Sequence, residues 1–74
     1  MNLIEAFGQV LKQLRKEKGL SQEKLAELCG LDRTYVSMLE RGKRQPTLTT
    51  IFKIGNVLHI KPYKLVLRIE ESID

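Results

Sequence analysis

The chain has 74 residues, a formal net charge of +4 at pH 7, no Trp, two Tyr, two Phe and a single cysteine. A domain this short buries only about 60% of its unfolded surface, so it needs dense aliphatic packing or a partner copy, and Cys29 alone excludes an internal disulfide. No run approaches the ~20 apolar residues that span a bilayer, and the N-terminus lacks the basic segment and long apolar run of a secretory signal, so a cytoplasmic protein is expected.

The first helix is expected from about Asn2 to Lys18. Leu3, Ile4, Phe7, Val10, Leu11 and Leu14 recur at helical spacing and form one apolar stripe, opposite Glu5, Gln9, Lys12 and Lys16. Gly19 ends it, with Lys16 and Lys18 in the last turn, where the helix dipole favours cations. Ser21 is a good N-cap for a second helix, about Gln22 to Cys29, with Leu25, Ala26 and Leu28 on its inner side. Gly30 falls where that helix must stop with a positive φ. Asp32 then caps a third, about Arg33 to Arg41, with Val36 and Leu39 inward and Arg33, Thr34, Tyr35 and Ser37 outward. The small Ala26 lets the second and third helices cross closely, as a helix-turn-helix requires. An outward surface of Arg, Thr, Tyr and Ser without acids is a poor core and a good reader of bases and phosphates.

Gly42 stops the third helix and opens a basic loop, Gly42-Lys43-Arg44-Gln45-Pro46. Thr47 caps a fourth helix, Leu48 to about Leu58, whose apolar set is Leu48, Ile51, Phe52, Ile54, Val57 and Leu58. Gly55 inside it costs ~1 kcal/mol in propensity and marks a close helix contact. Pro62 opens a fifth helix, to about Glu71. There Leu65, Val66, Ile69 and Ile73 make one apolar face, and Tyr63 and Leu67 another. One face closes the core, and the other is left for a second copy or packs at the domain edge. The dimer-interface candidates are therefore Tyr63, Leu65, Val66, Leu67 and Ile69. The expected fold is all-α: five short helices in one domain over residues 1–74, with about 62–74 also contributing to dimerisation.

Charge is unevenly spread. From Met1 to Asp32 five basic residues meet five acidic ones; from Arg33 to Lys64 seven basic residues face Glu40 alone; the last ten carry Arg68 against Glu70, Glu71 and Asp74. The positive block begins at the third helix and includes the loop, which favours a polyanion as partner. By position, Arg33, Thr34 and Ser37 are expected to meet base edges, because Arg can donate twice to guanine and Thr can bond an edge or pack on thymine. Gln22, at the start of the second helix, together with Arg41, Lys43, Arg44 and Gln45, is expected on the phosphate backbone. His59 and Cys29 stand alone with no metal-ligand spacing, and no phosphate loop or nucleophile–base set is present, so no enzyme, metal, cofactor or small-molecule ligand is expected.

The run Ser21-Gln22-Glu23, Leu25-Ala26, Gly30-Leu31, Val36-Ser37, Leu39-Glu40-Arg41-Gly42-Lys43 and Pro46, continuing through Thr47-Leu48, resembles the lambda-repressor/Cro-like helix-turn-helix regulators of the Xre family. A narrower likeness, in Leu31-Asp32-Arg33-Thr34-Tyr35-Val36-Ser37 and Glu40-Arg41-Gly42-Lys43-Arg44, is to the controller proteins of restriction–modification systems. The resemblance implies a homodimeric transcription regulator on a palindromic double-stranded DNA operator that activates and represses its own promoter. It implies a buried structural ion pair between Arg15 and Glu40. It offers Tyr35 a backbone or thymine contact, beside the plainer reading of an aromatic that props the turn. It also offers Glu23 and Glu27 a contact with RNA polymerase, beside ordinary solvated helix surface. The alternatives are a phage-type repressor, another stand-alone Xre-family regulator, and the antitoxin of a toxin–antitoxin pair.

Overall fold

A computed structural model describes residues 1–73 and places five helices: α1 (Leu3–Glu17), α2 (Gln22–Cys29), α3 (Arg33–Glu40), α4 (Leu48–Leu58) and α5 (Pro62–Ile73). Asp74, the last residue of the expected domain, lies outside the described residues. The caps act where their side chains predict. The Ser21 hydroxyl accepts from the Lys24 N–H at 3.0 Å, the Asp32 carboxylate from Thr34 at 3.3 Å and the Thr47 hydroxyl from Thr50 at 3.1 Å. Asn2 is not the first helical residue but the cap of α1, in a reciprocal box: its side chain accepts from the Glu5 N–H, and Glu5 accepts from the Asn2 N–H.

The helix ends share one geometry. Leu20, Leu31, Lys43 and Ile60 each donate a backbone N–H to the carbonyl five residues back, beside a bond from the preceding residue to the carbonyl three before it. This is the Schellman closure, which needs a left-handed residue between helix and exit. Gly30 fills it after α2 at φ 68°, whereas α4 uses His59 at φ 56°. A side chain there costs ~1–2 kcal/mol, so composition alone gives no sign of this turn.

The core is aliphatic apart from Phe7 and Cys29, with Leu11, Leu25, Leu39, Ile54, Leu58 and Leu65 fully buried. Several residues expected inside are not. Leu3 on α1, Leu28 on α2, and Leu48 and Phe52 on α4 are exposed. On α2 the buried set is Leu25, Ala26 and Cys29, because α3 and α4 meet that face and Leu28 lies about 100° away from Cys29. On α4 the inner side is Thr50, Ile54, Gly55 and Leu58. On α5 only Leu65 and Ile69 enter the core, against α1 and α4. Val66 and Ile73 were expected on that same face and instead join Tyr63 and Leu67 as exposed apolar side chains.

Two glycines set helix distances. A Cβ on Gly8 would lie 2.5 Å from the Leu39 carbonyl oxygen and 2.7 Å from that of Glu40, so the backbone of α1 rests directly on the end of α3. A Cβ on Gly55 would lie 2.8 Å from the Ile60 carbonyl oxygen and 3.4 Å from Pro62, which is the close contact expected of a glycine inside α4.

Candidate nucleic-acid interface

The centre of the site is α2, a tight turn and α3. The turn is fixed by the Leu31 N–H on the Ala26 carbonyl at 2.8 Å and the Gly30 N–H on Glu27 at 3.2 Å. Burial of Leu25 and Ala26 against Val36 and Leu39 then leaves the opposite side of α3 facing out. Arg33 and Thr34 are exposed there, while Tyr35 and Ser37 are half-buried. The loop after α3 begins with a bond from the Lys43 N–H to the Met38 carbonyl at 2.9 Å, and Arg41, Lys43, Arg44 and Gln45 are all exposed along it. The Arg44 guanidinium lies over the Tyr35 ring, 5.5 Å from its centroid. Arg41 donates from Nε to the Ser37 carbonyl at 3.4 Å.

This centre is tied to α1 by one carboxylate. Glu40 accepts from Arg15 Nε at 2.6 Å and Nη2 at 3.0 Å, in a fork that uses both of its oxygens. Arg15 Nη1 also donates to the Leu20 carbonyl at 2.8 Å. The hydrogen bond to Glu40 holds the Arg15 guanidinium above its ordinary pKa and outweighs the opposing effect of burial, with the Glu40 charge adding to it. Gln22 completes the network: its Nε2 donates to Glu40 Oε1 at 3.0 Å. Gln22, expected to turn its amide to a phosphate, commits one of its two amide hydrogens to Glu40. No buried side-chain nitrogen or oxygen among the described residues lacks a partner.

The remaining expected site residues divide by place. Glu23 and Glu27 are exposed on α2, and Glu27 accepts from the Lys24 ammonium at 3.1 Å. Of the dimer candidates, Tyr63, Val66 and Leu67 are exposed, whereas Leu65 and Ile69 are held in the protomer's own core and present no surface to a second copy. A helical plot shows two faces but not which one meets α1, so the sequence assigned both to the interface. Cys29 is buried with its thiol 4.0 Å from the Lys53 carbonyl; burial pushes its pKa up, and the Lys53 charge works the other way. Among the described residues no three His, Cys, Asp or Glu side chains are grouped to hold a metal ion, and no helix is long and apolar enough to cross a membrane.

Sequence reasoning missed the Gln22–Glu40 bond, the Arg44–Tyr35 contact and the seat at Gly8. Only Gly8 left a signal. It is a glycine within the apolar stripe of α1, seven residues before Arg15 and so on the same helix face.

A family model described as helix-turn-helix matches residues 11–65, from the middle of α1 into α5. The chain belongs to the helix-turn-helix family. Control protein C.MunI of Mycoplasma sp is 48% identical to this helix-turn-helix chain over 67 residues, covering 89% of it and 90% of the relative. The crystal structure of the restriction-modification controller protein C.AhdI from Aeromonas hydrophila matches with a TM-score of 0.81 at 52% identity, over 84% of this chain and 94% of that one. SinR, a master regulator for biofilm formation solved in complex with DNA, matches with a TM-score of 0.77 at 38% identity, over 81% of this chain and 97% of that one. The family resemblance read from Ser21 to Pro46 and the five-helix fold expected from the sequence are thus both met.

Proposed function

We propose that this chain is a sequence-specific DNA-binding transcription regulator that acts as a homodimer on a palindromic operator. In this reading it controls a restriction–modification system by activating and repressing its own promoter. The observation that carries the reading is the exposure of Arg33 and Thr34 on α3 together with that of Arg41, Lys43 and Arg44 in the loop that follows it. The kinship with control proteins supports the narrower assignment.

The N-terminal half of α3 enters the major groove. Arg33 donates to the O6 and N7 edge of guanine, Thr34 bonds a base edge or packs its methyl on thymine, and Ser37 and Tyr35 reach the groove from the half-buried side. Arg41, Lys43, Arg44 and Gln45 hold the phosphates of the same half-site and set register without reading sequence. The free N–H groups at the start of α2 face a phosphate, with Gln22 contributing the amide hydrogen that Glu40 leaves free. Arg15 and Glu40 do not touch DNA; they hold α3 at a fixed angle to α1. Tyr63, Val66 and Leu67 of α5 meet their counterparts across a two-fold axis, and the two copies of α3 then fall about one DNA turn apart, with half-sites ~10 bp apart centre to centre. Glu23 and Glu27 stay clear of the groove and offer an acidic patch to RNA polymerase. The protein works in the cytoplasm without a cofactor.

The test is a gel-shift titration with DNA from immediately upstream of the gene, at two salt concentrations, for the native chain and an Arg33→Ala/Thr34→Ala variant. Each base contact carries ~1–3 kcal/mol of discrimination, so the variant should fall to the level of random DNA. Native binding no tighter than to random DNA would refute the operator reading and bring a protein partner, as in an antitoxin, to the front. Neutralising Glu23 and Glu27 to Gln should spare operator binding and abolish activation; loss of both together would end the polymerase assignment.

A further inference from the structure

Arg44 sits in a loop whose charges would ordinarily position DNA without reading it. Its surroundings give it a second task. The side chain is exposed, and no carboxylate among the described residues pairs with it. The contact it makes is the face of the Tyr35 ring, 5.5 Å from the guanidinium carbon to the centroid. Tyr35 packs half-buried against the core and lies one residue after Thr34 on the reading helix. The ring thus has two neighbours, the core it packs against and the Arg44 guanidinium over its face. A tyrosine ring restrained by two such neighbours keeps its hydroxyl pointed in one direction, and that direction decides which base or sugar edge it meets. The loop itself is held by the Lys43 N–H on the Met38 carbonyl and by the Thr47 cap that follows, so Arg44 is presented from a fixed base.

We infer that Arg44 is a specificity-determining residue: it positions Tyr35 on the reading helix and thereby sets base discrimination, in addition to any phosphate it holds. The inference rests on the operator-binding reading above. Its chemistry depends on planarity. A guanidinium can stack flat on an aromatic face while it presents N–H groups at its edge, whereas an ammonium of the same charge is a compact, strongly hydrated point that does not stack. Arg44→Lys therefore keeps the charge seen by phosphate and loses the planar stack on Tyr35.

The experiment measures affinity for the operator and for its single-base variants, with the native chain and with Arg44→Lys, Arg44→Ala, Tyr35→Leu and Arg44→Lys/Tyr35→Leu. Arg44 is exposed, so its variants leave the core intact, which thermal melting checks. Tyr35→Leu locates the base pairs that Tyr35 reads. Arg44→Ala should lose about two- to fivefold discrimination at those same base pairs, the size of an exposed cation–π contact, and Arg44→Lys, which keeps the charge and the salt dependence but not the planar stack, should lose part of it. In the Tyr35→Leu background it should lose nothing further. Native discrimination retained in Arg44→Lys, or an Arg44→Ala loss equal for every sequence, would overturn the inference and leave the operator reading standing. A native chain with no sequence preference would overturn the operator reading itself, and this inference with it.

Discussion

Replacing Glu40 with Ala removes an acceptor shared by three donors: Arg15 Nε at 2.6 Å, Arg15 Nη2 at 3.0 Å and Gln22 Nε2 at 3.0 Å. The side chains of Arg15 and Glu40 are 10% and 2% exposed, so water has little access to take the place of the carboxylate. What remains is a guanidinium that cannot shed its proton, with the Leu20 carbonyl at 2.8 Å as its other partner. Removing one member of a buried pair costs ~3–5 kcal/mol. At ~0.05–0.15 kcal/mol per residue, a chain of this length has ~4–11 kcal/mol in total, so the loss takes a large share of it. Each kcal/mol moves the melting temperature of such a domain by about 4–8 °C, and the midpoint should fall by at least ~12 °C. The assay is thermal and urea unfolding followed by circular dichroism at one fixed protein concentration, because a dimer makes apparent stability depend on concentration. The control is Arg15→Met/Glu40→Leu, which removes both charges and keeps apolar volume, and it should recover most of the loss. A Glu40→Ala loss below ~1 kcal/mol, the range of exposed ion pairs, would refute the assigned role. A double variant no more stable than the single one would show that stranded charge is not the source of the cost.

Gly8→Ala should cost ~1–3 kcal/mol of overpacking, read as a lower urea midpoint, although alanine is the better helix former. The reason is that its Cβ would meet two backbone oxygens of α3, and an unchanged midpoint would remove that close seat. Leu65→Ala should cost ~2–5 kcal/mol as a core cavity, whereas Leu67→Glu should leave the fold intact and yield monomers by light scattering. A dimeric Leu67→Glu variant would exclude this face of α5 as the interface. The Cys29 thiol, raised by burial, should react with iodoacetamide far more slowly in the folded chain than in the unfolded one. Because its folded pKa lies above the unfolded value, its contribution to stability is full below the unfolded value and is lost as pH rises from there through the folded pKa. The alkaline fall in stability should accordingly be shallower in Cys29→Ala, and equal labelling of folded and unfolded chains would refute the burial of the thiol.

The order of the five helices, their caps and the turn between α2 and α3 were determined by sequence alone, because each is made by groups no more than five residues apart. Ser21, Asp32 and Thr47 reach the N–H groups of their own first turns, and Gly30 takes its left-handed φ without strain, wherever the rest of the chain lies. The outward Arg33 and Thr34 follow from the same local pattern, once Val36 and Leu39 are taken as the inner side. Which side of a helix is covered, in contrast, depends on where other helices arrive. Leu28 and Cys29 differ by one step of helical rotation, and only the approach of α4 buries the second and exposes the first. The same holds on α5, where contact with α1 takes Leu65 and Ile69 into the core and leaves Val66 with Tyr63 and Leu67 outside. The Gln22–Glu40 bond and the Arg44–Tyr35 contact join residues eighteen and nine positions apart through the fold. No propensity or periodicity encodes such pairs, because they exist only after the core has fixed the angle between α2, α3 and the loop.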